Sequence, residues 1–262
     1  MREQRLVFGE IAELYDRARA GYPGRLVDDV LTFAGSKCDS PALEIGAGTG
    51  KATVAFAARG LDVLALEPHP AMAAVARRNC ERFPGVRVEV TTFEDWPLEP
   101  KRFGLAFSGQ AWHWVAAEVR GAKAADALVP GGTLALFWHR TNWQGEDLRA
   151  ELEDLYRRVA PDLYAQEPGF PGLHAPRDDG RFVSELTGSG RFHDVRAQTY
   201  PWSSTFTSET FVDLLLTQSN HRLLVEDRRN ALMEAVGDLV AGHGNVVTVP
   251  HATLLVLARA AG

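Results

Sequence analysis

The chain has 262 residues, 45% hydrophobic and 24% charged, with a formal net charge of −6 and a pI near 5.8, the balance of one large α/β domain or of one domain with a small cap. That charge argues against the basic face of a nucleic-acid-binding protein, although an acidic total leaves room for a compact basic patch, and no apolar run reaches the ~20 residues of a spanning helix, so neither nucleic acid nor membrane is expected as a partner. Cys38 and Cys80 are too few for a disulfide framework or a Cys-rich metal site, and Met-Arg-Glu-Gln-Arg-Leu-Val-Phe has no signal-peptide core, so a cytoplasmic setting is expected.

Residues 3–17 read as an amphipathic helix carrying Leu6, Val7, Ile11, Leu14 and Tyr15. A loop through Tyr22-Pro23 leads to a second helix over about 24–35, with Leu26, Val27, Val30, Leu31 and Ala34 on one face. A strand over 41–46 then runs into Glu44-Ile45-Gly46-Ala47-Gly48-Thr49-Gly50-Lys51, and a small-residue helix follows over 50–59. A buried strand ending in glycines and turning into a helix brings backbone close to a ligand. Glycine tolerates φ > 0 there and has no Cβ to collide. The N–H groups at the helix start then face the bound molecule. The spacing is Gly-x-Gly-x-Gly, and Lys51 stands where the third glycine of a dinucleotide fingerprint would be.

A second strand, 62–67, ends in Glu67 and is closed by Pro68. A carboxylate at that strand end can accept hydrogen bonds from both hydroxyls of a ribose, a device that NAD enzymes share; a solvent-facing carboxylate is the alternative. A helix over 70–82 and a strand over 86–90 lead to Thr92-Phe93-Glu94-Asp95-Trp96-Pro97. The fourth strand, 103–107, runs into Ser108-Gly109-Gln110-Ala111-Trp112-His113-Trp114, at the strand end where such sheets bind ligands. A helix over 114–127, Pro130-Gly131-Gly132 and a strand over 133–138 follow, ending in His139 and Arg140. This alternation predicts a parallel, doubly wound sheet with right-handed crossovers. Over 145–190 the strand rhythm stops. A charged helix with Leu148, Leu152, Leu155, Tyr156 and Val159 leads into a Pro/Gly-rich loop from Pro161 to Pro176, then a short helix over 178–188. A strand over 193–200, helices from Thr207-Ser208-Glu209 and after Ser219-Asn220-His221, and a last strand from Val246 to Leu257 complete the chain.

Glu44 with the glycine triplet, Glu67, and the Gln110-Ala111-Trp112-His113-Trp114 run together resemble the class I S-adenosylmethionine-dependent methyltransferases. Among these the pattern is similar to small-molecule enzymes of the trans-aconitate methyltransferase type, with the order of elements agreeing from Tyr15 to Trp138. The resemblance implies an α/β fold: a doubly wound, Rossmann-like, mostly parallel seven-stranded sheet with helices on both faces, an antiparallel C-terminal hairpin and a small helical cap. It implies one domain over 1–262, made of an N-terminal helical cover (1–36), a cofactor-binding core (37–142), a helical insertion (145–190) and a C-terminal part (191–262).

S-adenosylmethionine is the implied cofactor and S-adenosylhomocysteine its product. The implied cofactor contacts are Glu44, Gly46, Ala47, Gly48 and Gly50, then Glu67 and Pro68, then Thr92, Phe93 and Glu94, then Ser108 and Gln110. The loop after the third strand cradles adenine in this family, usually with Asp where Thr92 aligns. A one-residue shift of register gives that task to Glu94 or Asp95, and Phe93 offers its backbone N–H. Trp96 reads as structural. Arg17, Arg19 and Lys51 are candidates, in no order, for the cofactor's carboxylate. The Tyr15–Pro23 segment resembles the family's N-terminal cover, and lid and helix-packing roles both stand open for Tyr15 and Tyr22. Trp114 and Arg140 are further acceptor-side candidates, Arg140 as the partner of an anionic group.

Methyl transfer from a sulfonium is an in-line displacement, so the protein has to align acceptor and methyl and exclude water. His113 is the candidate base or acceptor-positioning group, because imidazole titrates near neutrality; a ring bonded within its loop or capping the next helix is the alternative. His221, Arg222 and His251 receive no role. No Gly-x-Ser-x-Gly elbow and no metal-ligand spacing is present, so no metal is expected. The function expected is methyl transfer to a small-molecule acceptor by a monomer or homodimer. The alternatives are a non-catalytic S-adenosylmethionine-binding protein and an NAD-dependent oxidoreductase. The acidic charge and the lack of an Asn/Asp-Pro-Pro-Tyr/Phe motif count against methylation of nucleobase amines.

Overall fold

Strand β1, Ala42–Ile45, is buried at every residue and has a parallel neighbour on each side, β2 (Val63–Leu66) and β4 (Phe103–Gly109). The computed structural model describes residues 11–141, 147–166 and 180–262. β3 (Val86–Glu89) pairs with β2 and β5 (Leu128–Thr141) with β4, both parallel. With β6 (Phe192–Phe206) and β7 (Val247–Ala260) the seven strands take the order β3-β2-β1-β4-β5-β7-β6. The sheet is Rossmann-like and mostly parallel, with an antiparallel C-terminal pair. Crossovers run outward in opposite senses from β1 and β4. The switch point, where such folds open a crevice, therefore lies at the carboxyl ends of these two strands.

Alternation along the strands divides the core into two faces. Leu43 and Ile45 of β1 and Leu134, Leu136 and Trp138 of β5 join one cluster, with Trp112, Phe182 and Leu186. Ala42, Leu105, Phe107, Ala135 and Phe137 join the other, with Leu26, Val27 and Val30 of α2 (Gly24–Ala34) and Phe56 of α3 (Lys51–Ala57). Glu44 shares the register of Ala42, and Trp138 that of Leu136. These two placements set the polar chemistry described below.

The chain divides into two compact units. One comprises Ala20–Trp138, Arg177–Tyr200 and Thr253–Gly262; the other comprises Met1–Arg19, His139–Pro176 and Pro201–Ala252. The first unit also holds α4 (Pro70–Asn79) and α5 (Ala117–Ala127). The second has its own core, built from α6 (Asp147–Val159), α7 (Pro161–Gln166) and later helices. α8 (Arg181–Gly188) belongs to the first unit, whereas α9 (Ser208–Leu216), α10 (Ser219–Arg222) and α11 (Glu226–Gly242) belong to the second. Within it the Tyr156 hydroxyl meets His221 Nε2 at 2.6 Å, and His221 Nδ1 meets Asn220 Oδ1 at 2.8 Å. His221 is fully buried, and burial followed by the nearby Arg19 charge pushes it down to about 3. The ring is thus a neutral linker between helices.

Several boundaries differ from the periodicity. The first helix, α1, covers Ala12–Ala18, and Leu6 and Val7 lie outside the described residues. The helix expected from 114 starts at Ala117, because Trp112–Trp114 forms a separate short 3-10 turn and Ala116 is extended. β5 begins at Leu128, so Pro130-Gly131-Gly132 lies inside the strand, with its register against β4 shifting between Phe103 and Leu105. Pro161 begins α7, where the loop was expected; proline suits the first position of a helix, whose N–H has no partner anyway. The remainder of that loop, 167–176, lies outside the described residues.

Candidate functional site

The turn after β1 has three left-handed glycines: Gly46 at φ +75°, Gly48 at +58° and Gly50 at +83°. Their surroundings differ. A Cβ on Gly46 would stand 2.3 Å from Ala111 Cβ, in the loop after β4. A Cβ on Gly50 would stand 3.2 Å from Ala76 of α4. On Gly48 it would meet only Met72 Cε, at 3.7 Å. Two of the glycines therefore admit neighbouring protein, and Gly48 is the one with room above it. The amides of Gly46 and Ala47 both donate to the Leu66 carbonyl, at 2.9 and 3.0 Å, which ties the turn to the end of β2. Thr49 Oγ1 is buried with no hydrogen-bond partner among the described residues.

Glu67 sits where β2 ends, 7% exposed. Its Oε2 accepts the Gly48 N–H at 2.8 Å and its Oε1 the His69 N–H at 2.9 Å. Burial raises its pKa, and the two amide bonds pull against that shift. A carboxylate has about four acceptor sites, so each oxygen keeps capacity for a further donor. Pro68 is exposed, and His69 caps α4 by accepting the Ala71 N–H. Glu44 lies deeper, 1% exposed on the α3 side of the sheet, and accepts the Thr53 hydroxyl. Burial drives its carboxyl up to about 8, and the like charge of Glu67 adds to the rise. Two partly desolvated carboxylates thus lie beneath one glycine turn.

The loop after β3 is closed on itself. The Thr92 hydroxyl donates to Asp95 Oδ2 at 2.8 Å and accepts the Asp95 N–H at 3.0 Å. Glu94 accepts the Ala116 N–H ahead of α5, and Lys123 donates to the Glu94 and Trp96 carbonyls. Phe93 and Trp96 are buried and stacked, in keeping with a structural Trp96.

Near the end of β4, the buried Ser108 hydroxyl donates to the Ile45 carbonyl at 2.7 Å, supporting the glycine turn from below. A Cβ on Gly109 would stand 2.5 Å from the Tyr22 hydroxyl and 2.6 Å from Phe137, whose ring meets Tyr22 edge-on at 4.6 Å. Gln110 holds φ +61°, an uncommon and strained backbone for a residue with a side chain. Trp112 is fully buried, and its Nε1 has no hydrogen-bond partner among the described residues. His113 Nδ1 lies 3.4 Å from the indole nitrogen of Trp138, and its ring packs 4.7 Å from Trp114, which is 36% exposed.

Arg120, only 1% exposed, holds this aromatic loop in place. Its Nη1 donates to the Trp112 and Val115 carbonyls at 3.2 and 3.4 Å, and its Nε bonds Glu185 of α8 at 2.7 Å. Sequence reasoning missed Arg120; the available signal was an arginine on the otherwise alanine-rich buried face of α5.

All of the proposed cofactor residues, with Tyr22, His113 and Trp114, fall in the first unit. Tyr15 and Arg140 fall in the second. There Tyr15 lies under the Arg19 guanidinium at 5.1 Å, and Arg140 is 7% exposed. Arg19 spends its donors on Thr217 Oγ1, the Thr217 carbonyl and Gln218 Oε1, at 2.7 to 3.0 Å, so it anchors α1 to the end of α9. Arg17 is exposed. His139, expected at the end of the fifth strand to point toward the site, and His251, to which no role was given, flank Trp202 at 5.0 and 4.3 Å.

Residues 42–132 match the family model described as "Methyltransferase domain". An uncharacterised methyltransferase of Mycobacterium tuberculosis is 28% identical, over 99% of this chain and 98% of its own. Among solved structures, a putative type II methyltransferase from Anaeromyxobacter dehalogenans superposes with a TM-score of 0.62 at 21% identity, over 93% of this chain and 97% of its own. Phosphoethanolamine N-methyltransferase 2 of Haemonchus contortus, in complex with phosphomonomethylethanolamine and S-adenosylhomocysteine, gives 0.57 at 15% identity, over 97% of this chain and 58% of its own.

Proposed function

Because the chain belongs to the class I S-adenosylmethionine-dependent methyltransferases, we propose that it methylates a small-molecule acceptor, with the cofactor held by the glycine turn, Glu67 and the loops after β3 and β4. It is an enzyme, and S-adenosylmethionine is its cofactor. The observation that carries the residue assignment is the Gly48–Glu67 pair. Gly48 is the glycine of the turn with room above it, and Glu67 is locked beside it with acceptor capacity left over. The residues fit the cofactor in a second respect. Glu44 and Glu67 are buried carboxylates whose ionised forms are penalised, and a ligand carrying a sulfonium and an ammonium offsets that penalty.

In this reading Glu67 accepts the ribose hydroxyls, and Gly46, Ala47, Gly48 and Gly50 shape the floor of the cradle. Glu44 and Ser108 act from below, through Thr53 and the Ile45 carbonyl. Pro68 closes the strand beside Glu67. Phe93 offers its backbone N–H to the adenine. Thr92 and Glu94 set the shape of that loop, since the Thr92 hydroxyl and one Glu94 oxygen already have partners. Gln110 and Ala111 border the crevice between β1 and β4. His113 and Trp114 form the wall toward the acceptor, and Tyr22 belongs to the same side. When bound, the cofactor supplies an activated methyl. The protein's task is alignment and exclusion of water.

Small acceptors are favoured by the acidic chain, which lacks the positive field a nucleic acid needs. Among the described residues no helix is long and apolar enough to cross a membrane. A cytoplasmic monomer or homodimer completes the proposal.

The test is calorimetric titration of the purified protein with S-adenosylmethionine, S-adenosylhomocysteine and NAD, repeated on Glu67→Gln. The expected result is micromolar binding of the first two, none of NAD, and a large loss in the variant. Unchanged affinity in Glu67→Gln would remove the ribose assignment.

A further inference from the structure

His113 entered the argument as a candidate base, but its surroundings give it a different capacity. A neutral imidazole has one nitrogen that donates and one that accepts, and an indole N–H can only donate. The Trp138 Nε1 donates to His113 Nδ1 at 3.4 Å. Nδ1 is therefore the bare nitrogen, already occupied as an acceptor, and the ring's proton is on Nε2.

Trp138 is well held for this task. It is 3% exposed at the end of β5 and stacks on Phe182 of α8 at 4.6 Å, with ring planes 6° apart. The Phe182 ring in turn lies under the Arg120 guanidinium at 5.1 Å, and Arg120 grips the Trp112 and Val115 carbonyls on either side of His113. The indole, and the backbone on either side of the imidazole, are thus held by one packed assembly.

Resting on the methyltransferase reading above, we propose that Trp138 is a positioning residue that fixes His113 as the Nε2–H tautomer, so that His113 serves the reaction as a hydrogen-bond donor to the acceptor and not as its base. Burial holds the imidazole below its ordinary range, and two charged groups act in the same direction: Arg120, itself paired with Glu185, and Arg181 both oppose a positive charge on the ring. His113 is nonetheless exposed to solvent, which weakens the burial contribution and leaves its direction unchanged. The chemical consequence is specific. The attacking atom gains carbon, the carbon–sulfur electron pair stays on sulfur, and His113 removes no proton. The acceptor atom must therefore arrive without a proton, or release it to water once it has taken the methyl.

The test reads the proton itself. Long-range nitrogen-15 spectra of the histidine-labelled full chain report the tautomer of each imidazole, and His113→Gln assigns the signal. The expected signal has Nδ1 bare and Nε2 protonated at pH 7, without titration near 6.5. In Trp138→Phe, which keeps a ring against Phe182, a mixture of tautomers and an upward shift of the midpoint are expected. A wild-type signal with the proton on Nδ1, a fast-exchanging mixture, or a midpoint near 6.5 would overturn the proposal, as would an unchanged signal in a folded Trp138→Phe. The wild-type spectrum decides the tautomer even where the variant fails to fold. No cofactor or acceptor is needed, so failure here is distinct from a failure of the cofactor titration.

Discussion

The turn after β1 and the loop after β4 face each other across the switch point, and they are held by different means. The turn is held by backbone: left-handed glycines, two amides on the Leu66 carbonyl, and a carboxylate on the Gly48 N–H. The loop is held by side chains: Ala111 against Gly46, Arg120 on two carbonyls, and Trp138 on His113. A backbone device needs glycine at set positions and tolerates little change. A side-chain device can be built from many residues on distant elements. The first suits a part common to many enzymes, and the second suits a part that varies with the acceptor.

The largest effect should come from the point where the two regions touch. Gly46→Ala places a methyl 2.3 Å from Ala111 Cβ at φ +75°. Overpacking and left-handed backbone together should cost roughly 3 kcal/mol in urea denaturation. Gly48→Ala, with its nearest contact at 3.7 Å, should cost only about 1 kcal/mol, yet weaken cofactor binding by about tenfold or more through the filled cradle. Equal stability losses in the two variants would break the distinction between a glycine that admits protein and one that admits ligand.

Glu67→Gln comes next. Hydrogen bonds to a charged group are worth about 1.5–3 kcal/mol, so calorimetry should show roughly a 100-fold weaker cofactor, beside a smaller stability loss of about 1 kcal/mol because the amide keeps one acceptor for the Gly48 and His69 N–H groups. A matching loss of stability would recast Glu67 as a clamp for Gly48 and His69 and no more.

This contrast also explains what the sequence could reveal. The sheet, its Rossmann-like order and the glycine turn were legible because each depends on local pattern: buried four-residue strands, glycines in fixed steps, Glu67 at a strand end. The reasons for Gly46 and Gly50 were not legible, because Ala111 and Ala76 come from elsewhere in the chain. The same holds for Arg120 with Glu185, 65 residues apart, and for Trp138 with His113, 25 apart. Thr92 was chosen by alignment to an acidic position, and the Thr92-x-x-Asp95 spacing, a local capping pattern that occupies its hydroxyl, was passed over. Pro161 read as a breaker because a proline alone does not tell the first turn of a helix from a loop. His221 received no role because its partner, Tyr156, lies on another helix.

Glu44 tests how deep the backbone device extends. Its carboxyl is raised from 4.5 to about 8, chiefly by burial. A group raised in the folded state favours folding least once it must ionise. Its stabilising share is fully present below pH 4.5 and is lost as pH rises through about 8. Even half of that displacement is worth about 2 kcal/mol. Glu44→Gln keeps an acceptor for the Thr53 hydroxyl and has no charge to bury. The variant should be more stable than the parent at pH 9 and little different at pH 5, read as melting temperature against pH. Parallel curves would mean that the buried site tolerates the charge.

The smallest effect expected is at the far side of the crevice, and it separates the two regions most directly. His113 touches neither the glycine turn nor Glu67 in the bonds described, and its Nδ1 is engaged by Trp138. His113→Ala should therefore leave cofactor affinity within about twofold. One hydrogen bond to a neutral group is worth about 0.5–1.5 kcal/mol, so turnover with the acceptor should fall by no more than about tenfold. A general base would give a larger loss, of about 10²–10⁴. It would also leave a limb in the pH profile of the parent that the variant lacks. A tenfold loss without that limb fits a donor held by Trp138; a thousandfold loss with the limb fits a base and contradicts the tautomer argument. A loss of cofactor affinity as large as the loss of turnover would mean that the two regions act as one site, and that the division between backbone-built and side-chain-built parts does not extend to function.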